Sequence, residues 1–244
     1  MAQSRNARLV RAQHLGPEAR LLTFALAEGQ LGFAGGQYII VNTGVDLGGG
    51  KIAKRAYSIL SADDEQSQFQ IAVRRLGEGP GSNFMHRIAE GTELAFSGPW
   101  GKFVSHGAGA GERLLFATDT GITAALGLLR GMRSRAEATS TTALWFVPSP
   151  DYFLPPAFAH DAIAACCRRF SVAAAPPAGE ASRLGAALLA LESALGPALP
   201  ASAYLAGDGA VIYPLRERLI ELGMAKEQIQ LEAFFNNPER RAVS

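Results

Sequence analysis

Cysteine is nearly missing: the 244 residues hold two, Cys166 and Cys167, side by side. Two adjacent thiols build no disulfide framework, have no zinc spacing and cannot supply the four thiolates of an iron–sulfur cluster. Histidine is scarce too, with His14, His86, His106 and His160 scattered singly, so no metal site is expected. No block of five or more basic residues occurs, and the formal net charge is +1, which argues against a nucleic-acid partner. No apolar run approaches about 18 residues, so no membrane span is expected. The N-terminal stretch Met1–Asn6 leads into no apolar core of the signal-peptide type. Together these absences place the expected protein in the cytoplasm. No internal repeat is found.

What is present is a folding composition. Hydrophobic residues make up 48% of the chain, and its length suits one large or two modest domains. The first hundred residues are rich in strands. Residues 7–15 and 19–27 read as strands with Gly16-Pro17 as a turn between them. Tyr38-Ile39-Ile40-Val41 is a third, Arg55–Leu60 a fourth and Phe69–Arg75 a fifth. Thr43 to Ala53, with Gly48-Gly49-Gly50, is expected to be a mobile loop. Gly79-Pro80-Gly81-Ser82-Asn83 opens a short helix with Ser82 as its expected N-cap, and its free backbone N–H groups make a phosphate site conceivable. The Gly91–Phe103 stretch gives a strand and a tight turn. This spacing predicts a small antiparallel barrel or sandwich over residues 1–105.

The pattern changes after a glycine-rich linker, 106–112. Short apolar runs of the buried parallel type appear at Arg113–Ala117, Thr142–Val147, Arg169–Ala173, Ser202–Ala206 and Ile229–Phe235. Helices are expected between them: Ile122 to Met132, Pro155 to Ala165, Ser182 (as cap) to Leu195, and Ala210 to Leu222. Alternating strands and helices predict a doubly wound α/β domain over residues 112–244. Ligands of such sheets sit beyond the carboxyl ends of the strands, where Thr118–Gly121 and Gly207–Gly209 fall.

One stretch carries the chemistry. Arg55, Tyr57 and Ser58 stand within four residues on a strand, where Arg55 and Tyr57 share a face and Ser58 takes the other. A ring can stack on an isoalloxazine, a guanidinium can neutralise a pyrophosphate and a hydroxyl can bond a ring nitrogen. Six segments in order then carry a resemblance: Arg55-Ala56-Tyr57-Ser58, Gly79-Pro80-Gly81-Ser82, Gly98-Pro99-Trp100-Gly101-Lys102-Phe103, Thr120-Gly121-Ile122-Thr123, Tyr204-Leu205-Ala206-Gly207 and Glu232-Ala233-Phe234. In this the chain resembles the ferredoxin–NADP⁺ reductase superfamily over about residues 7–235.

The resemblance implies a flavin-binding barrel, then a Rossmann-like NAD(P) domain, and an enzyme that takes hydride from NADH or NADPH at flavin N5. Electrons would pass to a separate acceptor: a ferredoxin, a flavodoxin or an oxygenase component. Tyr57 would stack on the flavin, Arg55 would hold the FAD pyrophosphate, and Ser58 would sit near N5. Gly79, Gly81 and Ser82 would take phosphate oxygens, with Val73 and Arg74 lining the flavin. Thr120, Gly121, Ile122, Gly207 and Asp208 would meet the dinucleotide. Glu232 and Phe234 would close the nicotinamide end.

Departures from the family pattern bear on the second half. Asp119 replaces the first loop glycine, Ala124 the loop proline, Ala206 the near-flavin cysteine and Asp208 a proline. Each Asp either bonds nearby backbone as a turn residue or weakens nicotinamide binding. The second strand of this domain is followed by Val147-Pro148-Ser149-Pro150-Asp151, which holds no Arg and leans toward NADH, although Arg168, Arg169 or Arg183 could supply the charge from elsewhere. A second reading is therefore kept: a non-catalytic flavoprotein module for electron transfer or regulation. A flavin-free dehydrogenase is disfavoured, because no Gly-x-Gly-x-x-Gly follows the Leu114–Ala117 strand.

Overall fold

The computed structural model describes residues 4–105, 111–131, 140–149, 151–164 and 166–238. The first half is a six-stranded antiparallel sheet, in the order β4-β3-β6-β1-β2-β5. Its strands are β1 (Arg5–His14), β2 (Ala19–Leu26), β3 (Tyr38–Asp46), β4 (Ile52–Ser58), β5 (Gln68–Arg74) and β6 (Glu93–Trp100). Inward residues alternate along them, and Leu9, Leu22, Phe24, Ile39, Val41, Phe69, Ile71 and Phe96 fill one apolar interior. Helix α1 (Pro80–Arg87) lies against β3, β4 and β5 and contributes Met85 to the same core. The two outermost strands of the sheet, β4 and β5, do not pair with each other, so the barrel has a seam between them.

The second half is a five-stranded parallel sheet in the order β11-β10-β7-β8-β9. It comprises β7 (Arg113–Thr118), β8 (Thr141–Val147), β9 (Arg169–Ala174), β10 (Ser202–Asp208) and β11 (Ile229–Phe235). The helices are α2 (Ile122–Arg130), α3 (Pro156–Ala164), α4 (Ser182–Ala194) and α5 (Gly209–Glu221). β7 and β8 are buried along their whole length, as the uninterrupted apolar runs require of strands covered on both faces. The strand order turns back beside β7, which begins centrally and is followed outward by β8 and then across by β10.

Three local expectations are corrected. The glycine-rich stretch is no long loop: β3 runs on to Asp46 and β4 starts at Ile52, so only residues 47–51 turn. Gly48, Gly49 and Gly50 all take positive φ, which lets the chain reverse tightly and leaves the flanking residues free to pair. Ser82 is not the N-cap of α1. Gly79 is, with Pro80 at the first helical position, because proline has no N–H to leave unsatisfied there. Ser82 instead accepts from the Leu76 amide and donates to the Gly79 carbonyl. Ser182 likewise lies inside α4 rather than capping it. The expected linker at 106–110, the helix end at Met132 and Ala165 lie outside the described residues.

The halves are fused, not tethered. Leu60, Ala72 and Phe103 from the barrel share one apolar cluster with Leu115, Leu128 and Trp145. Helix α2 presses on the barrel so closely that a Cβ on Gly127 would overlap the Ile59 carbonyl oxygen. Arg130 donates to the Leu60 carbonyl at 3.1 Å, and Gln230 bonds both N–H and C=O of Val104 at 3.1 and 2.9 Å.

Candidate active site

The register of the β3–β4 hairpin builds one wall of a cleft. Tyr38 lies opposite Ser58, Ile40 opposite Ala56 and Asn42 opposite Lys54. With a period of two, these residues come to one face. Tyr38, Ile40, Lys54, Ala56 and Ser58 line a cleft of about 410 Å³, and its far wall is Glu232, Ala233 and Phe234 at the end of β11. Ser58 is buried there. Gly101, in a left-handed turn at φ +99°, brings the Gly98–Phe103 segment against the Tyr38 ring and the Glu232 carboxylate.

The other face of β4 carries Arg55 and Tyr57. Tyr57 packs against the barrel core, and burial pushes its phenol up to about 12, against the pull of the Arg55 charge. Arg55 reaches the start of α1: a Cβ on Gly81 would lie 2.9 Å from Arg55 Cγ. The first-turn amides of α1 have no acceptor within the helix, so a guanidinium and free N–H groups converge on one spot. That combination suits an anion. Together with the open seam beside β4, whose edge can pair with a flat ligand's rim, the residues present fit a flavin dinucleotide.

Not every expected residue lines this cleft. Val73 is in the barrel core with its carbonyl bonded to His86. Arg74 turns to the second half, where it lies 4.1 Å from the Tyr152 ring centre, donates to its hydroxyl and faces Glu18. Thr120, Gly121 and Ile122 sit at the carboxyl end of β7, and Gly207 and Asp208 at that of β10. These two ends are locked together. A Cβ on Gly121 would overlap the Ala206 carbonyl, and the Asp208 amide donates to Thr118 Oγ1 at 2.7 Å. A wider groove of about 1020 Å³ between α4 and α5 is lined by helix-surface residues such as Tyr213, Arg216 and Arg218, and it does not reach Ser58 or Glu232.

Asp119 and Asp208 meet a residue that the sequence did not single out for them. Arg183 of α4 donates to Asp119 Oδ2 at 2.5 Å and approaches Asp208 Oδ2 with Nε at 3.5 Å. All three side chains are at most 4% exposed. Asp208 also caps α5, accepting from the Ala210 amide and the Asn236 side chain. Burial raises the Asp119 carboxyl above the ordinary range, although Arg183 and Thr118 pull it down. Arg183 is therefore no solvated surface group. Tyr38, Ile40 and Lys54 were also missed as cleft residues; the signal that finds them is hairpin register, since β3 was legible beside β4.

Comparison with known proteins now bears on the barrel. Residues 6–105 match the family model described as oxidoreductase FAD-binding domain. The chain is 37% identical over 147 residues to ferredoxin–NADP reductase B of Sorangium cellulosum, covering 60% of this chain and 58% of that protein. It is 33% identical over 121 residues to NADH-cytochrome b5 reductase 1 of Cryptococcus neoformans, covering 49% and 40%. The chain thus spans about half the length of the curated relatives it matches. A ferredoxin NADP⁺ reductase from Neisseria gonorrhoeae, solved with bound FAD and NADP, superposes with TM-score 0.75 at 19% identity, covering 96% of this chain and 100% of that one. The antiparallel barrel followed by the parallel sheet thus has the same fold as that reductase. Among the described residues no helix is long and apolar enough to cross a membrane.

Proposed function

We propose that the chain is an FAD-dependent NAD(P)H oxidoreductase that hands electrons to a separate protein, such as a ferredoxin, a flavodoxin or an oxygenase component. The observation that carries this is the cleft that joins Ser58 of the FAD-binding barrel to Glu232 and Phe234 of the second sheet. Two walls from two halves suit two rings meeting face to face. FAD, when bound, accepts a hydride from a nicotinamide and releases electrons singly.

The chain's own residues would place those partners. Arg55 and the start of α1 hold the pyrophosphate. Tyr57 would supply the stacking ring and Ser58 a hydroxyl to bond a ring nitrogen. Tyr57 remains a neutral phenol at ordinary pH, which suits stacking on an uncharged ring. Glu232 and Phe234 close the nicotinamide side and limit water.

NADH is the favoured donor. Arg168 is paired with Glu112 at 2.6 Å, Arg169 donates to the Ala194 carbonyl, and Arg183 is held by two carboxylates. Arg183, the buried one of the three, is committed to the two carboxylates, and Arg168 and Arg169 already have partners, which supports NADH. The test is an anaerobic absorbance spectrum before and after NADH, then NADPH. Bleaching by either donor supports the reading, and faster bleaching by NADH supports the preference. Flavin that bleaches only with dithionite favours an electron-transfer module, a reading kept because Asp119 and Asp208 stand in the dinucleotide loops. A chain that retains no FAD after reconstitution refutes both.

A further inference from the structure

The buried Asp119–Arg183–Asp208 cluster lies at the strand ends read as the coenzyme site, and its formal charge does not balance. Two carboxylates share one guanidinium, which leaves one negative charge in excess at the carboxyl ends of β7 and β10. Asp208 has further support from the Ala210 amide and the Asn236 side chain. Asp119 leans on Arg183 and its neighbour Thr118. The other charged or titratable groups around it are few. Tyr152 faces it from the segment after β8, and Arg74 of β5 lies beyond Tyr152. Trp145 of β8 is spent on the Asp119 backbone carbonyl, not on its carboxylate. So the less supported carboxylate lies under the loop that leads into α2.

This inference rests on reading these strand ends as the coenzyme site. A dinucleotide there brings a doubly negative pyrophosphate to a cluster that is already negative. Arg183 cannot neutralise the newcomer without abandoning an aspartate. The remaining way to relieve the repulsion is a proton on one carboxylate. We propose that a dinucleotide binds this chain together with a proton taken up by the Asp119–Asp208 pair, so that its affinity falls as pH rises and Asp119 governs the fall. Burial already biases Asp119 toward the protonated form.

The probe is ADP-ribose, which keeps the pyrophosphate and lacks both the nicotinamide and the 2′-phosphate. Its binding to the flavin-loaded protein is measured by calorimetry from about pH 6 to about pH 9, in buffers of different ionisation enthalpy. The dissociation constant is expected to rise by up to about tenfold per pH unit across the linked window, with net proton uptake. Asp119→Asn keeps an oxygen for Arg183 and removes the charge; it is expected to bind about tenfold more tightly at the alkaline end and to flatten the profile. Binding by the variant alone supports the same conclusion. A flat wild-type profile without proton uptake overturns it and needs no variant. An unchanged slope in Asp119→Asn overturns the role given to Asp119. No binding to either protein also overturns it, and NADH reduction of the flavin in the same preparation then tells whether the coenzyme reading survives.

Discussion

Replacing Arg183 with methionine isolates the electrostatics of the strand ends. Methionine roughly keeps the stem's volume, while the guanidinium, which lies 5.4 Å over the Phe146 ring, is removed. What is lost is, among the described residues, the one cation paired with two buried carboxylates, Asp119 at 2.5 Å and Asp208 at 3.5 Å. Stranding a buried partner in this way costs about 3–5 kcal/mol. At about 2–4 °C per kcal/mol for a chain of this size, the melting temperature should fall by roughly 6–20 °C near pH 8. The pH dependence has a definite sign. Asp119 holds its proton more tightly in the folded chain than an ordinary aspartate does. Above the ordinary carboxylate pKa and below the raised one, the folded state binds more protons, so stability falls as pH rises through that window. Removing Arg183 removes a pull toward lower pKa and extends the window upward. The deficit should therefore be larger at about pH 8 than at about pH 5, read by thermal unfolding of both proteins. Asp119→Asn in the same background should recover part of it. A deficit below about 1 kcal/mol at both pH values would show that water screens the cluster, and the charge argument would fall with it.

Three further substitutions separate folding from cofactor binding. Gly127→Ala forces a Cβ into the Ile59 carbonyl, so about 1–3 kcal/mol of stability should be lost in chemical unfolding; an unchanged midpoint would mean the halves part easily. Gly81→Ala meets only the flexible Arg55 stem, so stability should hold while FAD dissociates about tenfold more readily, followed by flavin fluorescence; equal retention would remove the anion site from α1. Ser58→Ala should keep its flavin yet be reduced by NADH about ten- to a hundredfold more slowly in stopped flow; an equal rate would leave Ser58 as packing alone.

The parts of this molecule that were legible in its sequence are those fixed by short-range rules. A period of two put Arg55 and Tyr57 on one face of β4 and Ser58 on the other, and the structure places them so. Short apolar runs marked the parallel sheet because burial on both faces leaves no polar position to alternate. The hairpin was misjudged for a related reason. Three consecutive glycines look like slack chain, yet positive φ at all three makes a compact reversal and lets pairing begin at once on either side.

Asp119 marks where local reading stops. Its backbone sits at φ +51°, the left-handed region that glycine occupies freely and aspartate tolerates at a small cost. The loop has thus kept the shape expected of a glycine while gaining a side chain. Where that side chain goes cannot be read from its neighbours, because its partner is 64 residues away on α4. Once Arg183 is known, the two readings of Asp119 cease to be alternatives. It is a structural residue, since it anchors α4 to the end of β7. It is also an electrostatic one, since Arg183 is shared with Asp208 and cannot cancel both. The same contact that holds the strand ends together leaves two carboxylates to one guanidinium, and that imbalance is what the proposed dinucleotide would meet.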